Sequence, residues 1–233
     1  MGRGRDDEPW VGRESIFRKK LNELRTTGRI ELPKAETVNR IKELEQSTYL
    51  NNVAYQTAQA GGDERVALLD GLTELYNYAT ITRILGDELK RGRRYKYPSC
   101  VIAVTPDKLE EVRLTNGPLA VDGIYKGTAN FLMSTIRDVD IPSRYSSDTF
   151  LVICPNTPLE GGAVLAERVR NNICQSRISD IGQNWAVTAS IGVAEFPAMA
   201  QTVDDLINVL GAALQQAKDA GGDRVVLAQV ATA

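Results

Sequence analysis

Two groups of polar residues that could do chemistry lie close together in the stretch RDVDIPSRYSSDTFLVICPNT, residues 137–157. The first places Arg137 three residues before Asp140, which together offer a charged hydrogen-bond donor and a charged acceptor. Taken alone, an Arg-x-x-Asp pattern is most often a surface salt bridge at a helix end, and such pairs are energetically small. The second group, Ser146-Ser147-Asp148-Thr149, has residue types that suit a hairpin turn, and the turn alone gives Asp148 no role beyond that of a solvated residue.

The composition excludes several other kinds of chemistry. The 233 residues include no histidine, which rules out histidine metal ligands, histidine general bases and Ser-His triads. A net charge of −2 gives no support for non-specific nucleic-acid binding, so no DNA partner is expected. The scattered cysteines Cys100, Cys154 and Cys174 predict no disulfide framework and favour a cytoplasmic location. No apolar run reaches the length of a membrane span, and the N-terminus lacks the apolar segment of a secretory signal.

The chain divides into three parts. Residues 1–14 are rich in glycine and charge and are expected to be disordered. Residues 15–62 contain two stretches with helical spacing of apolar residues, and we expect them to form a helical arm. This arm either packs against another surface or forms a coiled-coil dimer, although its heptads are too few to establish the second alternative. The remaining residues, 63–233, form the main domain.

Helical and strand-like segments alternate through the main domain, as is typical of α/β domains. Thr202 is the expected N-cap of the last helix, and glycines are expected to end it. The predicted helices cover residues 65–95, 119–137, 159–175 and 202–222, and the predicted strands cover residues 99–105, 148–154, 185–196 and 224–230.

Four segments of this domain, in this order, resemble the GGDEF domain of diguanylate cyclases: DGLTELYN (70–77), RDVDIPSRYSSDTFLVICPNT (137–157), TASIGVA (188–194) and LGAALQQAKDAGGDRVV (210–226). The resemblance covers about residues 66–230. It implies an α/β, palm-like fold, in which helices flank a central and mostly antiparallel sheet. The sequence GGDE at 61–64 precedes the domain and has no strand behind it, so it is not the family motif.

The family joins two GTP molecules into cyclic di-GMP, and its hairpin turn carries two glycines that let the backbone approach the phosphates. Ser146 and Ser147 occupy both glycine positions here. The family also uses clustered carboxylates to hold Mg²⁺. Asp148 keeps one carboxylate of the motif, but Thr149 stands where the family has glutamate.

The first strand departs from the family pattern as well. Thr105 stands where the family has a metal-binding aspartate. Pro106 follows it, at a position whose backbone carbonyl usually helps to bind metal in the family. Glu110 replaces a lysine, and Arg113 replaces the asparagine that contacts guanine. Two acidic positions of the pattern remain without being aligned metal ligands: Asp107 and Asp122. These substitutions predict a domain that binds no Mg²⁺, needs no cofactor and does not catalyse the family reaction.

The Arg137 and Asp140 pair matches the family's inhibitory site. In the family, an R-x-x-D motif five residues before the turn binds cyclic di-GMP, usually as an intercalated dimer, and a second arginine comes from the following helix. Arg168 aligns with that second arginine. An arginine can donate to O6 and N7 of guanine, while a carboxylate can accept from its N1 and N2 hydrogens. The resemblance therefore implies a cyclic di-GMP site at these three residues.

Neighbouring motif residues are expected to be structural. Arg144 and Tyr145 match the family's Arg-Tyr pair, and Asp70 and Asn77 match residues that cap and orient the first helix.

The sequence leaves three functions open. The first is a catalytically inactive receptor that binds cyclic di-GMP and signals to an unidentified protein partner, with dimerisation through the ligand or through the helical arm. The second is an interaction scaffold that binds no nucleotide. The third is a domain that still binds GTP or retains cyclase activity, against which the substitutions in the turn and the first strand argue.

Overall fold

The computed structural model describes residues 68–175, 178–180, 183–185 and 187–229. The predicted N-terminal disordered segment (1–14) and helical arm (15–62) lie outside the described residues. No helix of the described part is long and apolar enough to cross a membrane.

Helices and strands alternate through the described residues. The helices are α1 (Tyr78–Tyr95), α2 (Leu109–Asn116), α3 (Pro118–Thr135), α4 (Leu159–Gln175) and α5 (Val203–Asp219). The strands are β1 (Ser99–Pro106), β2 (Ile141–Arg144), β3 (Phe150–Cys154), β4 (Ile178–Asp180), β5 (Gln183–Trp185), β6 (Ala189–Phe196) and β7 (Arg224–Leu227).

Five strands form the central sheet in the order β2-β3-β1-β6-β7. All neighbours pair antiparallel except β6 and β7, which are parallel. Strands β4 and β5 form a separate two-stranded hairpin. This arrangement confirms the mixed α/β fold with a mostly antiparallel sheet flanked by helices.

Both faces of β1 are covered, since all eight of its residues are buried. Ile102 and Val104 belong to a core cluster that includes residues of α3 and α4. Val101 and Ala103 point to the opposite face because side chains alternate along a strand, and they are equally buried. Helices α1 and α5 also pack against β1. The sheet is therefore the middle layer of three, and the loops at its ends carry the candidate sites.

The predicted helix 65–95 is wrong for the described residues 68–77, because α1 begins only at Tyr78. A turn precedes the helix, in which the Asp70 carboxylate accepts hydrogen bonds from the backbone N–H and the hydroxyl of Thr73, at 2.8 and 2.7 Å. The side chain of Asn77 then accepts from the N–H of Thr80 and caps the helix. The periodic apolar residues of this segment thus pack in a turn rather than in an extra helical stretch.

Three elements were not predicted, namely strands β2 and β4 and helix α2, and other boundaries moved. Strand β2 contains Pro142, which argues against a strand in sequence but is tolerated here because β2 lies at the sheet edge. Helix α2 is short and follows Lys108, whose backbone is left-handed. The predicted strand 185–196 forms a strand only from Ala189 onward, as β6, while Trp185 is the last residue of β5. The predicted helix 119–137 ends at Thr135. The predicted cap at Thr202 is confirmed by a capping box with Asp205.

Candidate functional site

An open cleft of about 600 Å³ lies at the end of β1. It is surrounded by the residues that follow β1, by helix α2, by the turn between β2 and β3, and by the end of α5. Its lining includes Thr105, Pro106, Asp107, Glu110, Arg113, Tyr125, Ser147, Asp148 and Lys218. The structure therefore gathers most of the positions that the sequence assigned to the former active site.

The turn between β2 and β3 holds Asp148 by hydrogen bonds within the turn. The hydroxyls of Ser146 and Thr149 both donate to Asp148 Oδ1 at 2.9 Å. On the other side, Lys218 Nζ lies 3.4 Å from Asp148 Oδ2. Burial works to raise the pKa of the Asp148 carboxyl, but these hydrogen bonds and the Lys218 charge hold that pKa below its ordinary value. Asp148 is thus more than the solvated turn residue that the turn alone suggests.

Thr105 connects the end of β1 to the same turn. Its side chain is buried, and its Oγ1 lies 3.1 Å from Oγ1 of Thr149. Because Thr149 donates its only hydroxyl hydrogen to Asp148, Thr105 is the donor of this hydrogen bond. Two neutral hydroxyls therefore meet at this point of the cleft.

Asp107 has both carboxylate oxygens engaged by neighbouring elements. Ser190 donates to Oδ1 at 2.6 Å, while Thr188 and the backbone N–H of Asp223 donate to Oδ2 at 2.7 and 3.0 Å. Asp107 also donates its own backbone N–H to the carbonyl of Thr188 at 2.8 Å. This carboxylate ties the end of β1 to the start of β6 and to the loop after α5, which is a structural role.

A second polar site lies between the end of α3, the start of β2 and helix α4. The backbone N–H of Arg137 donates to Asp140 Oδ2 at 2.8 Å, and the N–H of Asp140 returns a bond to the carbonyl of Arg137 at 3.1 Å. Arg168 donates from Nη2 to the carbonyl of Thr135 at 2.9 Å. The sequence-predicted trio lines one narrow pocket of about 40 Å³, together with Cys154, Thr157, Gly161, Val164 and Leu165.

The carboxylate of Asp140 is almost fully buried, with a relative exposure of 1%. Burial raises the pKa of its carboxyl above the ordinary value, although the N–H of Arg137 and the charges of Arg137 and Arg168 act in the opposite direction. Both arginines are themselves exposed. The site therefore presents two cationic donors at the surface above a buried acceptor.

Residues 67–224 match the family described as diguanylate cyclase, GGDEF domain. The chain belongs to the GGDEF family. It is 30% identical over 162 residues to the diguanylate cyclase DgcP of Pseudomonas aeruginosa, and 29% identical over 163 residues to the response regulator PleD of Caulobacter vibrioides. These alignments cover 70% and 69% of the chain but only 24% and 36% of the relatives, so the chain spans about a third or less of their length.

Solved GGDEF structures share the fold. The diguanylate cyclase SiaD of Pseudomonas aeruginosa, solved with its activator SiaC, matches with a TM-score of 0.67 and 26% identity, over 83% of this chain and 71% of that one. The GGDEF domain of DgcB from Caulobacter crescentus, solved with c-di-GMP, matches with a TM-score of 0.65 and 23% identity, over 70% and 94% of the two chains.

The cleft of this GGDEF domain does not fit the Mg²⁺ that the family implies. Mg²⁺ prefers several oxygen ligands in octahedral geometry, whereas Asp148 is held by Lys218 and two hydroxyls, and Asp107 by three donors. Among the described residues, no group of three or more His, Cys, Asp or Glu side chains could hold a metal ion.

The other cleft positions of the GGDEF domain have ordinary surroundings. Arg113 forms an exposed ion pair with Glu110 at 3.5 Å, and exposed pairs of this kind are weak. Asp122 is half-buried on α3. Its charge contributes to a raised pKa of the Tyr125 phenol, after the larger effects of burial and of Asp148.

The motif residues expected to be structural do make structural contacts. Arg144 lies 3.3 Å from Asp70, donates to the carbonyl of Ser147 at 2.8 Å, and stacks 4.4 Å above the Tyr125 ring. The ring of Tyr145 packs against Tyr78, with centroids 5.1 Å apart. Asp70 stabilises the turn before α1 and pairs with Arg144, while Asn77 caps the helix itself.

Sequence reasoning missed Lys218 as a site residue. Its position was visible, because Lys218 matches the lysine in the closing A-L-Y-x-A-K segment of the family. What the sequence did not reveal is that this lysine reaches across the cleft, from α5 to the carboxylate of Asp148.

Proposed function

We propose that this GGDEF domain is a catalytically inactive receptor for cyclic di-GMP, which it binds through Arg137, Asp140 and Arg168. The observation that carries the proposal is a contrast between the two sites. At the former active site, the charged group of the turn is neutralised by Lys218. At the second site, two exposed guanidiniums stand beside a buried carboxylate.

Loss of catalysis follows from the chemistry of the cleft. Thr105 and Thr149 offer hydroxyls that bond to each other, and neutral hydroxyls are poor substitutes for carboxylates as Mg²⁺ ligands. Ser146 and Ser147 add side chains where the family's glycines let the nucleotide phosphates meet the backbone. We therefore propose that the domain binds no Mg²⁺ and needs no cofactor.

Guanine recognition by the second site is chemically sound. A guanidinium donates to O6 and N7 of the guanine edge and stacks on its face. The pocket of about 40 Å³ is far smaller than an ordinary ligand pocket. A base would therefore lie across the mouth of the pocket, between Arg137 and Arg168. Asp140 at the floor would accept from N1 and N2 of the base.

Signalling to a protein partner is the output that we propose. One solved relative, the diguanylate cyclase SiaD, forms a complex with an activator protein, so an interaction between this kind of domain and another protein has a precedent. An intercalated ligand dimer can bridge two domains, and this gives a second route by which ligand would change assembly.

Calorimetric titration of the purified chain tests the proposal, with cyclic di-GMP and GTP–Mg²⁺ as parallel titrants. We expect micromolar or tighter binding of cyclic di-GMP, at about two ligands per chain if the ligand binds as an intercalated dimer. Incubation with GTP and Mg²⁺ is expected to yield no cyclic di-GMP. If neither nucleotide bound, the domain would be an interaction scaffold rather than a receptor. If cyclic di-GMP were produced, the domain would be an active diguanylate cyclase.

A further inference from the structure

Two of the three cysteines face each other across neighbouring strands. Cys100 of β1 pairs directly with Cys154 of β3 in the antiparallel register. Directly opposed residues in antiparallel strands have Cα atoms about 4.5 or 5.5 Å apart. Both distances lie within the range of about 4.4–6.8 Å that a disulfide requires. Their side chains also point to the same face of the sheet, because opposed residues share a face.

Helix α4 covers both thiols. Cys100 and Cys154 are 0% and 1% exposed and belong to the core cluster that contains Leu165 and Val169 of α4. Cys100 Sγ lies against the backbone of Gly162, where an added Cβ would overlap it. Cys154 lines the pocket of Arg137, Asp140 and Arg168. The two sulfurs therefore occupy one buried layer beneath the proposed ligand site.

We infer that Cys100 and Cys154 are a redox-sensitive dithiol, which a hydroperoxide converts to a cross-strand disulfide, and that its closure weakens ligand binding above it. In the first step, one thiol loses its proton, the thiolate attacks one peroxide oxygen and the O–O bond breaks. The hydroxide that leaves takes up the proton, so a sulfenic acid and water form. In the second step, the other thiol displaces the sulfenic oxygen as water, and the S–S bond forms. Two thiols and one hydrogen peroxide thus give one disulfide and two waters.

The effect on the ligand site, which rests on the proposed function, acts through Asp140. Cys154 and Asp140 are both buried and line the same narrow pocket. Disulfide formation draws the Cys154 sulfur toward Cys100 and so changes the wall of this pocket next to Asp140. Because the pocket measures only about 40 Å³, a shift of its wall changes the position of the Asp140 carboxylate beneath the guanine.

Burial sets the conditions for the reaction. It raises the pKa of the Cys100 thiol to about 12, and the pKa of the Cys154 thiol is raised as well. The thiolate is the reactive form, so oxidation is slow at neutral pH and accelerates as the pH rises. Both sulfurs are buried, so bulky oxidants are excluded.

The test uses the full chain with Cys174→Ser, which removes the exposed thiol and with it disulfides between molecules. After treatment with hydrogen peroxide, the protein is denatured, alkylated without reductant and analysed by peptide mass spectrometry. We expect a linked Cys100–Cys154 peptide, two fewer alkylated thiols and recovery of both after reduction. Adding Cys100→Ser or Cys154→Ser should abolish the link. Separate sulfinic acids, or two thiols that stay free, would overturn the inference.

Ligand binding is measured on the same samples before and after oxidation. We expect the cyclic di-GMP affinity to fall by about tenfold or more on oxidation, and to return after reduction. An unchanged affinity in the disulfide form would refute the coupling to Asp140. If the disulfide formed but neither redox form bound cyclic di-GMP, the proposed function would be wrong, whereas the redox reaction of the two cysteines would be confirmed. If the reduced form bound and no disulfide formed, only this inference would fail.

Discussion

Lys218 Nζ lies 3.4 Å from Oδ2 of Asp148, so a side chain of α5 supplies the positive charge beside the only carboxylate of the turn between β2 and β3. Asp148 Oδ1 is at the same time held by Ser146 and Thr149. The negative charge of the turn is therefore balanced within the protein itself. A divalent cation would have to displace Lys218 and two hydroxyls to reach this carboxylate, while gaining no second carboxylate ligand from Thr105 or Thr149.

Restoring the two glycines alone is expected not to restore catalysis. In Ser146→Gly combined with Ser147→Gly, the turn would again let phosphates approach the backbone. Thr105 and Thr149 would still lack carboxylates, so the metal site would remain incomplete. Incubation with GTP and Mg²⁺, followed by chromatography for cyclic di-GMP, checks this. Detectable product above that of the unmodified chain would mean that the metal site has been misassigned.

Restoring the carboxylates is expected to create a divalent cation site. Oγ1 of Thr105 lies 3.1 Å from Oγ1 of Thr149, so Thr105→Asp with Thr149→Glu brings two carboxylates together near Asp148. Without metal, the repulsion between these charges destabilises the fold. With Mg²⁺ well above its Kd, mass action should raise the Tm by about 5 °C or more. Thermal unfolding with and without Mg²⁺ measures the shift.

The matched control for that variant is Thr105→Asn with Thr149→Gln, which has similar size but no charge. It is expected to show no Mg²⁺-dependent change in Tm, and neither is the unmodified chain. Equal Mg²⁺ responses in the charged and the neutral variants would argue against a specific site between β1 and the turn.

Removal of one guanidinium is expected to abolish cyclic di-GMP binding without harming the fold. Arg137 is exposed, and Asp140 is held by its backbone N–H rather than by its guanidinium. Arg137→Ala therefore leaves the turn intact, and its free energy of unfolding should change by less than about 1 kcal/mol. Arg83→Ala, at an exposed position of α1, is the control and should bind normally. Calorimetric titration with cyclic di-GMP measures the affinity of each variant. An affinity unchanged by Arg137→Ala would show that Arg137 does not bind the ligand.

The fold was largely predictable from the sequence because apolar segments with a clear period dominate it. The run CVIAV predicted β1, which is buried on both faces, and Thr202 predicted the start of α5 through its cap. Strand β2 was missed because Pro142 opposes a strand, and only the position of β2 at the sheet edge makes that proline acceptable. Edge position depends on the tertiary arrangement and is not visible in local sequence.

The candidate site was predictable residue by residue, but its contacts were not. The resemblance to the GGDEF family implied a shared site for Arg137, Asp140 and Arg168, and all three line one pocket. The burial of Asp140 and the reach of Lys218 to Asp148 depend on long-range packing between elements. No local pattern encodes such contacts, and this is why Asp148 alone looked like a solvated turn residue.

The buried carboxyl of Asp140 is expected to give stability a measurable pH dependence. Its pKa in the folded protein is raised above the ordinary value of 3.8, mainly by burial. Between these two values, the folded chain holds a proton that the unfolded chain has lost, so the free energy of unfolding falls as the pH rises. Below pH 3.8, Asp140 is protonated in both the folded and the unfolded chain, and its contribution to stability is at its full value. Asp140→Asn should lack this decline.

Urea denaturation at a series of pH values, from about pH 4 upward, gives the free energy of unfolding of the unmodified chain and of Asp140→Asn. The quantity to compare is the difference between the two at each pH. Taking the difference removes the contribution of Glu88, another acid whose pKa burial raises. A difference that does not vary with pH would show that Asp140 titrates normally in the folded protein.

Substitution by alanine is expected to change the free energy of unfolding in opposite directions at Gly192 and at Gly211. Gly192 lies in β6 directly beneath α5, where an added Cβ would come within 2.8 Å of Leu214 N and 2.9 Å of Leu210 O. These are backbone atoms, so relief requires the helix to move away from the sheet. Gly192→Ala should therefore lower the free energy of unfolding by about 3 kcal/mol. Gly211 lies in α5 itself, and a Cβ there meets nothing within 4 Å.

Gly211→Ala should raise the free energy of unfolding by about 0.5–1 kcal/mol, because alanine restricts the unfolded chain and favours the helix. Urea denaturation of the two variants, compared with the unmodified chain, gives both values. The opposite signs distinguish close approach between α5 and β6 from a general intolerance of the domain to substitution. If both variants were destabilised equally, the packing of α5 against β6 would not be the cause. If Gly192→Ala were neutral, the helix would lie farther from the sheet than 2.8 Å contacts allow.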